Sequence, residues 1–186
     1  MVSSMKNELQ AVLKFWFEEL TPEDWYSGSA EIDEQIREKF AATHTAVAAG
    51  EYWKERVTPE AYLAEIIVLD QFSRNMFRDT RKAFAFDDMA LCLAQHAIAA
   101  KFHEEMTEEQ RQFLYMPFMH SESSQIHETA IILFESLGNE EALKFEKIHK
   151  EIIDRFGRYP HRNETLGRES TQEEIDYLAN NEESFF

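Results

Sequence analysis

The sequence predicts an all-α fold, and three observations carry that prediction. Glycine and proline number only 5 and 4 in 186 residues, too few for the turns of a β-rich chain. Ala, Glu, Leu, Lys and Gln, which form helices readily, are plentiful instead. Apolar residues recur three and four positions apart, between capping signals that mark where each helix starts and stops. The length suits one sizeable core and is short for two. Residues 1–186 are therefore expected to form one helical domain of about eight helices packed as antiparallel hairpins, with 179–186 a frayed tail.

A first helix carries Leu9, Val12, Leu13, Trp16 and Leu20 along one side and ends before Thr21-Pro22. Ser29 can cap a second, striped by Ile32, Ile36, Phe40 and Val47 and stopped at Gly50. Thr58-Pro59 opens a third, with Tyr62, Leu63, Ile66, Ile67 and Leu69 facing inward; Pro59 falls at the first helical position, where a missing N–H costs nothing. After the polar break at 78–81, a fourth runs from Ala83 to Ala100 with Phe86, Met89, Ala90, Leu93 and Ala97 on one side. Thr107 and Gln110 form a capping box for a fifth, which Pro117 should kink or end. Ser123 or Ser124 starts a sixth that stops at Gly138. Asn139 starts a seventh that stops at Gly157, and Thr171 with Glu174 boxes the start of a short last helix to about Leu178. Between the last two, 158–170 has no apolar period and reads as an ordered loop on a helical scaffold, a place where function concentrates.

The lone Cys92 cannot close an intrachain disulfide, and between Leu91 and Leu93 it reads as a small buried hydrophobe. No apolar run suits a signal peptide or membrane span, so a soluble, cytoplasmic chain is expected. A net charge of −17 would repel nucleic acid and anionic membranes, and neither is expected as a partner. The charge is uneven, however. Residues 147–168 hold six basic groups against three acidic ones, a local +3 that leaves −20 for the remainder. Such a patch suits a small anion better than a polynucleotide, although a helix C-terminus attracts cations by itself.

Three polar clusters could carry chemistry: 70–78, 118–122, and His149 with the loop from Arg155 to Arg168. Asp70 and Arg74, four apart, can pair on a continuing helix, which could aim the Arg74 fork at a carboxylate or phosphate. His149 shares a helical face with Phe145, Ile152 and Phe156, which turns its imidazole toward the core. His120 follows Phe113 and Met116 at seven and four residues. Glu146-x-x-His149 has the spacing of a di-iron ligand pair, but no second such pair exists and no His-Glu-x-x-His occurs, so neither metal nor cofactor is expected. There is no phosphate-cradling glycine loop and no nucleophile elbow. Acid–base work by His120, His149 or His161 beside Asp70 or Glu122 is the chemistry these side chains suit.

The motifs Phe15-Trp16-Phe17, Asp70-Gln71-Phe72-Ser73-Arg74-Asn75 with Arg78, Phe113 to Glu122, and Phe156 to Asn163 continuing through Leu166 to Thr171 carry a resemblance over nearly the whole chain. The sequence resembles a bacterial family known as domain of unknown function 924, with Ser73 standing where that family is expected to carry proline. The resemblance implies an all-helical fold similar to tetratricopeptide-like superhelices and assigns no reaction. Two classes of function fit. One is a polar pocket binding a small phosphate- or carboxylate-bearing ligand through Asp70, Arg74, His120, Glu122, His149, Arg158, His161 and Arg162, with His120, His149 and Asp70 as acid–base candidates. The other is a tetratricopeptide-like scaffold that presents a groove to a peptide partner and catalyses nothing.

Overall fold

The computed structural model describes residues 2–181, and these are helical throughout, with no strand among them. The expected helices correspond to α1 (Val2–Lys14), α3 (Ala30–Ala48), α4 (Pro59–Ile67), α6 (Asp87–Ala99), α7 (Glu108–Met119), α8 (Ser124–Leu137), α9 (Glu140–Phe156) and α11 (Gln172–Asn180). The count is higher than eight because three four-residue segments add to them: α2 (Pro22–Trp25), α5 (Ser73–Met76) and α10 (Asn163–Leu166). α11 extends through Asn180 rather than fraying from 179, and 182–186 lie outside the described residues.

The capping signals act as their chemistry dictates. Ser29, Thr58, Thr107, Asn139 and Thr171 each accept a backbone N–H from the first turn that follows, and Gln110 and Glu174 return the bond to complete two capping boxes. Gly138 and Gly157 close α8 and α9 with φ of 79° and 69°, in the left-handed region that glycine enters without cost. Pro117 sits in the last turn of α7, which ends two residues later with His120 as its cap.

Two departures have local causes. The segment expected as the start of one long helix at Ala83 is a 3-10 turn, Arg81–Phe84, and α6 begins only at Asp87. Its buried side consists of Leu93 and three small residues, Ala90, Ala94 and Ala97, and packs against α4. Cys92 projects from the opposite side and is exposed, not buried as its leucine neighbours suggested.

The middle of the fold is α4, packed by α1, α6 and α7. Every residue from Ala61 to Ser73 is buried, Glu65 and Asp70 among them, as befits a helix surrounded by others. At Val68–Phe72 the helix widens into a π-type turn before continuing as α5, and a second such turn, Phe15–Glu19, extends α1. Phe72 of the first turn meets Phe15 and Trp16 of the second, and Phe113 of α7 packs edge-on against Trp16, Phe17 and Trp25 at centroid distances of 5.3, 5.7 and 4.9 Å. Polar ties fix the periphery. Asp33 of α3 accepts from Asn75 Nδ2 and from Nε and Nη2 of Arg78, at 2.7 to 2.9 Å. The fully buried Glu65 takes a two-bond fork from Arg56 at 2.8 Å. α7, α8 and α9 pack in succession, and Ile152, Ile153 and Tyr159 form a smaller second core under the loop that follows α9.

Phe113→Ala should cost about 3–5 kcal/mol, the usual range for emptying a packed aromatic site. Urea denaturation measures it; a loss under 1 kcal/mol would show that the ring cluster is not a cohesive part of the core.

Candidate functional site

The π-type turn delivers Asp70 into the interior, where it is 1% exposed. A buried carboxylate needs partners, and it has three: Gln71 Nε2 at 2.5 Å, His120 Nδ1 at 2.7 Å and Arg74 Nη1 at 3.0 Å. Arg74 also donates to the Asp70 carbonyl at 2.8 Å. Burial alone would raise the Asp70 pKa, but the charges of Arg74 and His120 outweigh it and hold the carboxyl well below the usual range. For His120, burial and then the neighbouring Arg74 push the imidazole down, against the opposing pull of Asp70. An ionised carboxylate can only accept, so the imidazole proton sits on Nδ1 and Nε2 is left as an acceptor.

Arg74 does not point its fork at open space, as the sequence suggested. Both of its Nη atoms bond Asp87 at 2.9 Å, at the first position of α6. Asp87 also accepts from Nη1 of Arg162 at 3.3 Å, so an alternating ladder Asp70–Arg74–Asp87–Arg162 ties α4, α5, α6 and the loop after α9. Arg162 is 6% exposed, its guanidinium lies over the rings of Phe84 and Tyr159 at 4.7 and 4.5 Å, and its Nε has no hydrogen-bond partner.

Beside this ladder lies a cavity of about 220 Å³. His120, Glu122 and Arg162 line it, together with Arg81, Asp87, Asp88 and Ser121 and the apolar Phe84, Leu91, Pro117 and Leu166. Two of the sequence-predicted clusters, 118–122 and the loop after α9, therefore supply lining residues, and the 70–78 cluster reaches the cavity only through the bonds of Asp70 to His120 and of Arg74 to Asp87. Not every predicted residue reaches it, however.

Arg158 forks onto Glu174 at 2.7 and 2.8 Å and onto the Glu169 carbonyl at 2.8 Å, which docks α11 and takes no part in the cavity lining. That bond holds Glu174 down to about 2. Glu122 borders the cavity but is engaged: it accepts Arg168 Nη1 and Nη2 at 2.6 and 2.9 Å and the Tyr159 N–H at 2.7 Å. Burial would raise its pKa, and these bonds lower it instead. His149 is half-buried and bonds the carbonyl of Phe145 one turn back, at 2.8 Å. Ile152 of the expected face is buried, but Phe145 is exposed, so the buried side of α9 is rotated and consists of Ala142, Glu146, Ile152 and Ile153. His149 and His161 stand against the Tyr159 ring, at 5.6 and 5.5 Å, outside the cavity lining.

The basic stretch is likewise no open patch. Lys150, Arg155, Arg158, Arg162 and Arg168 pair with Glu128 and Asp154, Glu173, Glu174, Asp87 and Glu122 respectively.

A second polar network, not foreseen, holds His120 from behind. Tyr159 Oη donates to the Met119 carbonyl, and His127 Nε2 lies 2.9 Å from the Ser121 carbonyl and 3.1 Å from Tyr159 Oη. Tyr159 donates elsewhere, so Nε2 of His127 must carry a proton. Nδ1 of His127 meets Glu146 Oε1 at 2.7 Å, and both residues are fully buried. Burial raises the Glu146 carboxyl, favouring the uncharged acid as donor to Nδ1. The carbonyls flanking His120 in sequence are thus both anchored. Glu146 bonds His127 while His149 bonds its own helix, so the Glu-x-x-His pair diverges.

Arg81 and Asp87 were also missed. Arg81 packs its guanidinium against Gly167, at φ 65°, where a Cβ would run into it. The only trace in the sequence is a glycine in a loop.

The family model described as "Bacterial protein of unknown function (DUF924)" matches residues 12–182. The chain belongs to this family. It is similar to a solved protein of unknown function from Agrobacterium tumefaciens, with 34% identity, a TM-score of 0.90, and coverage of 95% of this chain and 99% of that one. No curated protein matches. Among the described residues no helix is long and apolar enough to cross a membrane.

Two outcomes test the site's construction. Burial holds His44, His149 and His161 down, to about 4, about 4 and about 3, aided at His44 by Lys82 and at His161 by Arg162. Between those values and about 6.5 the folded chain binds fewer protons than the unfolded one. Their stabilisation is complete above about 6.5 and lost as pH falls, at about 1.4 kcal/mol per unit for each, while the raised Glu146 opposes them. Denaturation free energy should fall between pH 6.5 and 4.5, with a shallower slope in His44→Gln; an unchanged slope would contradict it. Gly167→Ala should cost about 1–2 kcal/mol for the left-handed backbone and displace Arg81, read from its Nε–H NMR signal. A signal that stays put would show that Gly167 does not hold Arg81 in place.

Proposed function

We propose that this protein binds a small anionic metabolite in the cavity beside His120, with the Asp70–His120 pair acting as acid and base on it. The observation that carries the reading is the pairing of an imidazole oriented through Nδ1, its Nε2 without a side-chain or backbone partner, with a buried arginine whose Nε is also unmatched. An orienting carboxylate behind a histidine is how an imidazole is kept in one tautomer for proton transfer. A buried donor without a partner, as Arg162 Nε is, costs stability, and a ligand oxygen would satisfy it; Nε2 of His120, an acceptor, would take a proton from the ligand. A cavity of about 220 Å³ lies below the span common for drug-sized ligands, so the ligand is small. Asp70, Arg74, Glu122, His149 and His161 support the site rather than touch the ligand, and Arg158 belongs to the docking of α11.

A tetratricopeptide-like scaffold is the second reading. Its support is the succession α7–α8–α9 and a groove of about 620 Å³ between α1 and α4 lined by Leu9, Leu13, Phe17, Val57 and Ala61. It predicts no small-molecule binding at His120.

A thermal-shift panel of carboxylated and phosphorylated metabolites separates the two. A ligand at about a hundred times its Kd stabilises by about 2.7 kcal/mol. That shift should vanish in folded Arg162→Lys, and binding should move the His120 ring signals in NMR. No hit at millimolar ligand, or hits indifferent to Arg162→Lys, would overturn the proposal.

A further inference from the structure

The polar groups around the cavity divide into those engaged with one another and those left over. Asp87 is taken by Arg74 and Arg162, and Glu122 by Arg168 and the Tyr159 N–H. Left over are the guanidinium of Arg81, Nε of the buried Arg162, Nε2 of His120, the hydroxyl of Ser121 and the exposed carboxylate of Asp88. Arg81 and Asp88 both line the cavity, yet no hydrogen bond or ion pair joins either to any described residue. The first turn of α6, which carries Asp88, also lacks a side-chain cap.

From this remainder we propose that the cavity takes a small aminocarboxylate, its carboxylate held by Arg81 and Arg162 and its ammonium group by Asp88. The inference rests on the anion-binding reading above and narrows it. The charge balance decides between the two anionic classes left open. Asp70, Asp87, Asp88 and Glu122 stand against Arg74, Arg81, Arg162 and Arg168, four carboxylates and four guanidiniums, and the site is electroneutral before a ligand enters. A phosphate monoester would bring nearly two uncompensated charges beside Asp87 and Glu122, which a partly desolvated site penalises. A zwitterion brings none, and its two poles match the two kinds of group that remain. The ring of Phe84 with Leu91 and Pro117 offers an apolar wall to a short side chain between those poles.

Isothermal titration calorimetry on the full chain tests it, with L-alanine, L-valine and L-leucine set against propanoate, 3-methylbutanoate, 4-methylpentanoate and inorganic phosphate. At least one amino acid should bind ten-fold or more tightly than its deaminated counterpart. Asp88→Asn, an exposed substitution, should erase that preference while keeping carboxylate binding, and Arg81→Gln should weaken both. Carboxylates or phosphate binding as tightly as amino acids, or a preference that survives Asp88→Asn, would overturn the aminocarboxylate and leave the anion site standing. If no probe gives heat or moves the His120 ring signals at 10-fold steps up to the millimolar range, both fall together.

Discussion

The burial of one carboxylate organises this molecule. Asp70 sits on the helix that α1, α3, α6 and α7 pack against, at a turn wide enough to carry its side chain into the interior. Left alone there it would be intolerable, since an isolated ion in an apolar medium takes up a proton or unfolds its surroundings. Each partner it recruits brings its own demand. Arg74 neutralises it and must itself be neutralised, which draws in Asp87; Asp87 has capacity to spare and reaches Arg162. His120, the other partner, is oriented as a by-product of satisfying the acid. Four separate segments are thereby tied by a requirement that begins with one residue.

His120 is held from the opposite side by different physics. The end of α7 has carbonyls with no helical partner, and Tyr159 and His127 supply the missing donors on either side of it. Glu146 then fixes His127. One of its oxygens remains without a partner, which is tolerable for an uncharged acid and costly for an ionised one. The imidazole facing the cavity is thus positioned by its own hydrogen bond and by the chain on both sides of it.

Much of this fold was legible because the signals were local. Caps and capping boxes act within four residues, and the apolar stripes of α1, α3 and α4 need only periodicity. Asp70 and Arg74 could be paired on paper for the same reason. The rest depends on contacts across long separations. Asp87 at the start of α6 looks like any acid favoured by the positive end of a helix, and nothing nearby announces that it bridges two arginines 13 and 75 residues away. His127 and Glu146 lie on different helices. The 3-10 turn at 81–84 moved the start of α6 and carried Arg81 to the cavity, and the rotation of α9 placed Glu146 inward where Phe145 had been expected. The basic stretch misled most, because counting charge along a segment ignores the acids that other helices bring to it.

The loop from Arg158 to Ser170 looks irregular, but its backbone is held firmly. The N–H of Tyr159 is bonded to Glu122, its carbonyl to Arg168, and Arg168 in turn holds both Glu122 and Asn163. This wall of the cavity is complete before anything enters. The ligand of the proposed function would therefore meet a finished surface with no segment to order on arrival, and little of its interaction energy would be diverted into freezing the chain. Association should then be governed by diffusion and orientation rather than by a slow conformational step, and differences among related ligands should show up in how long they stay.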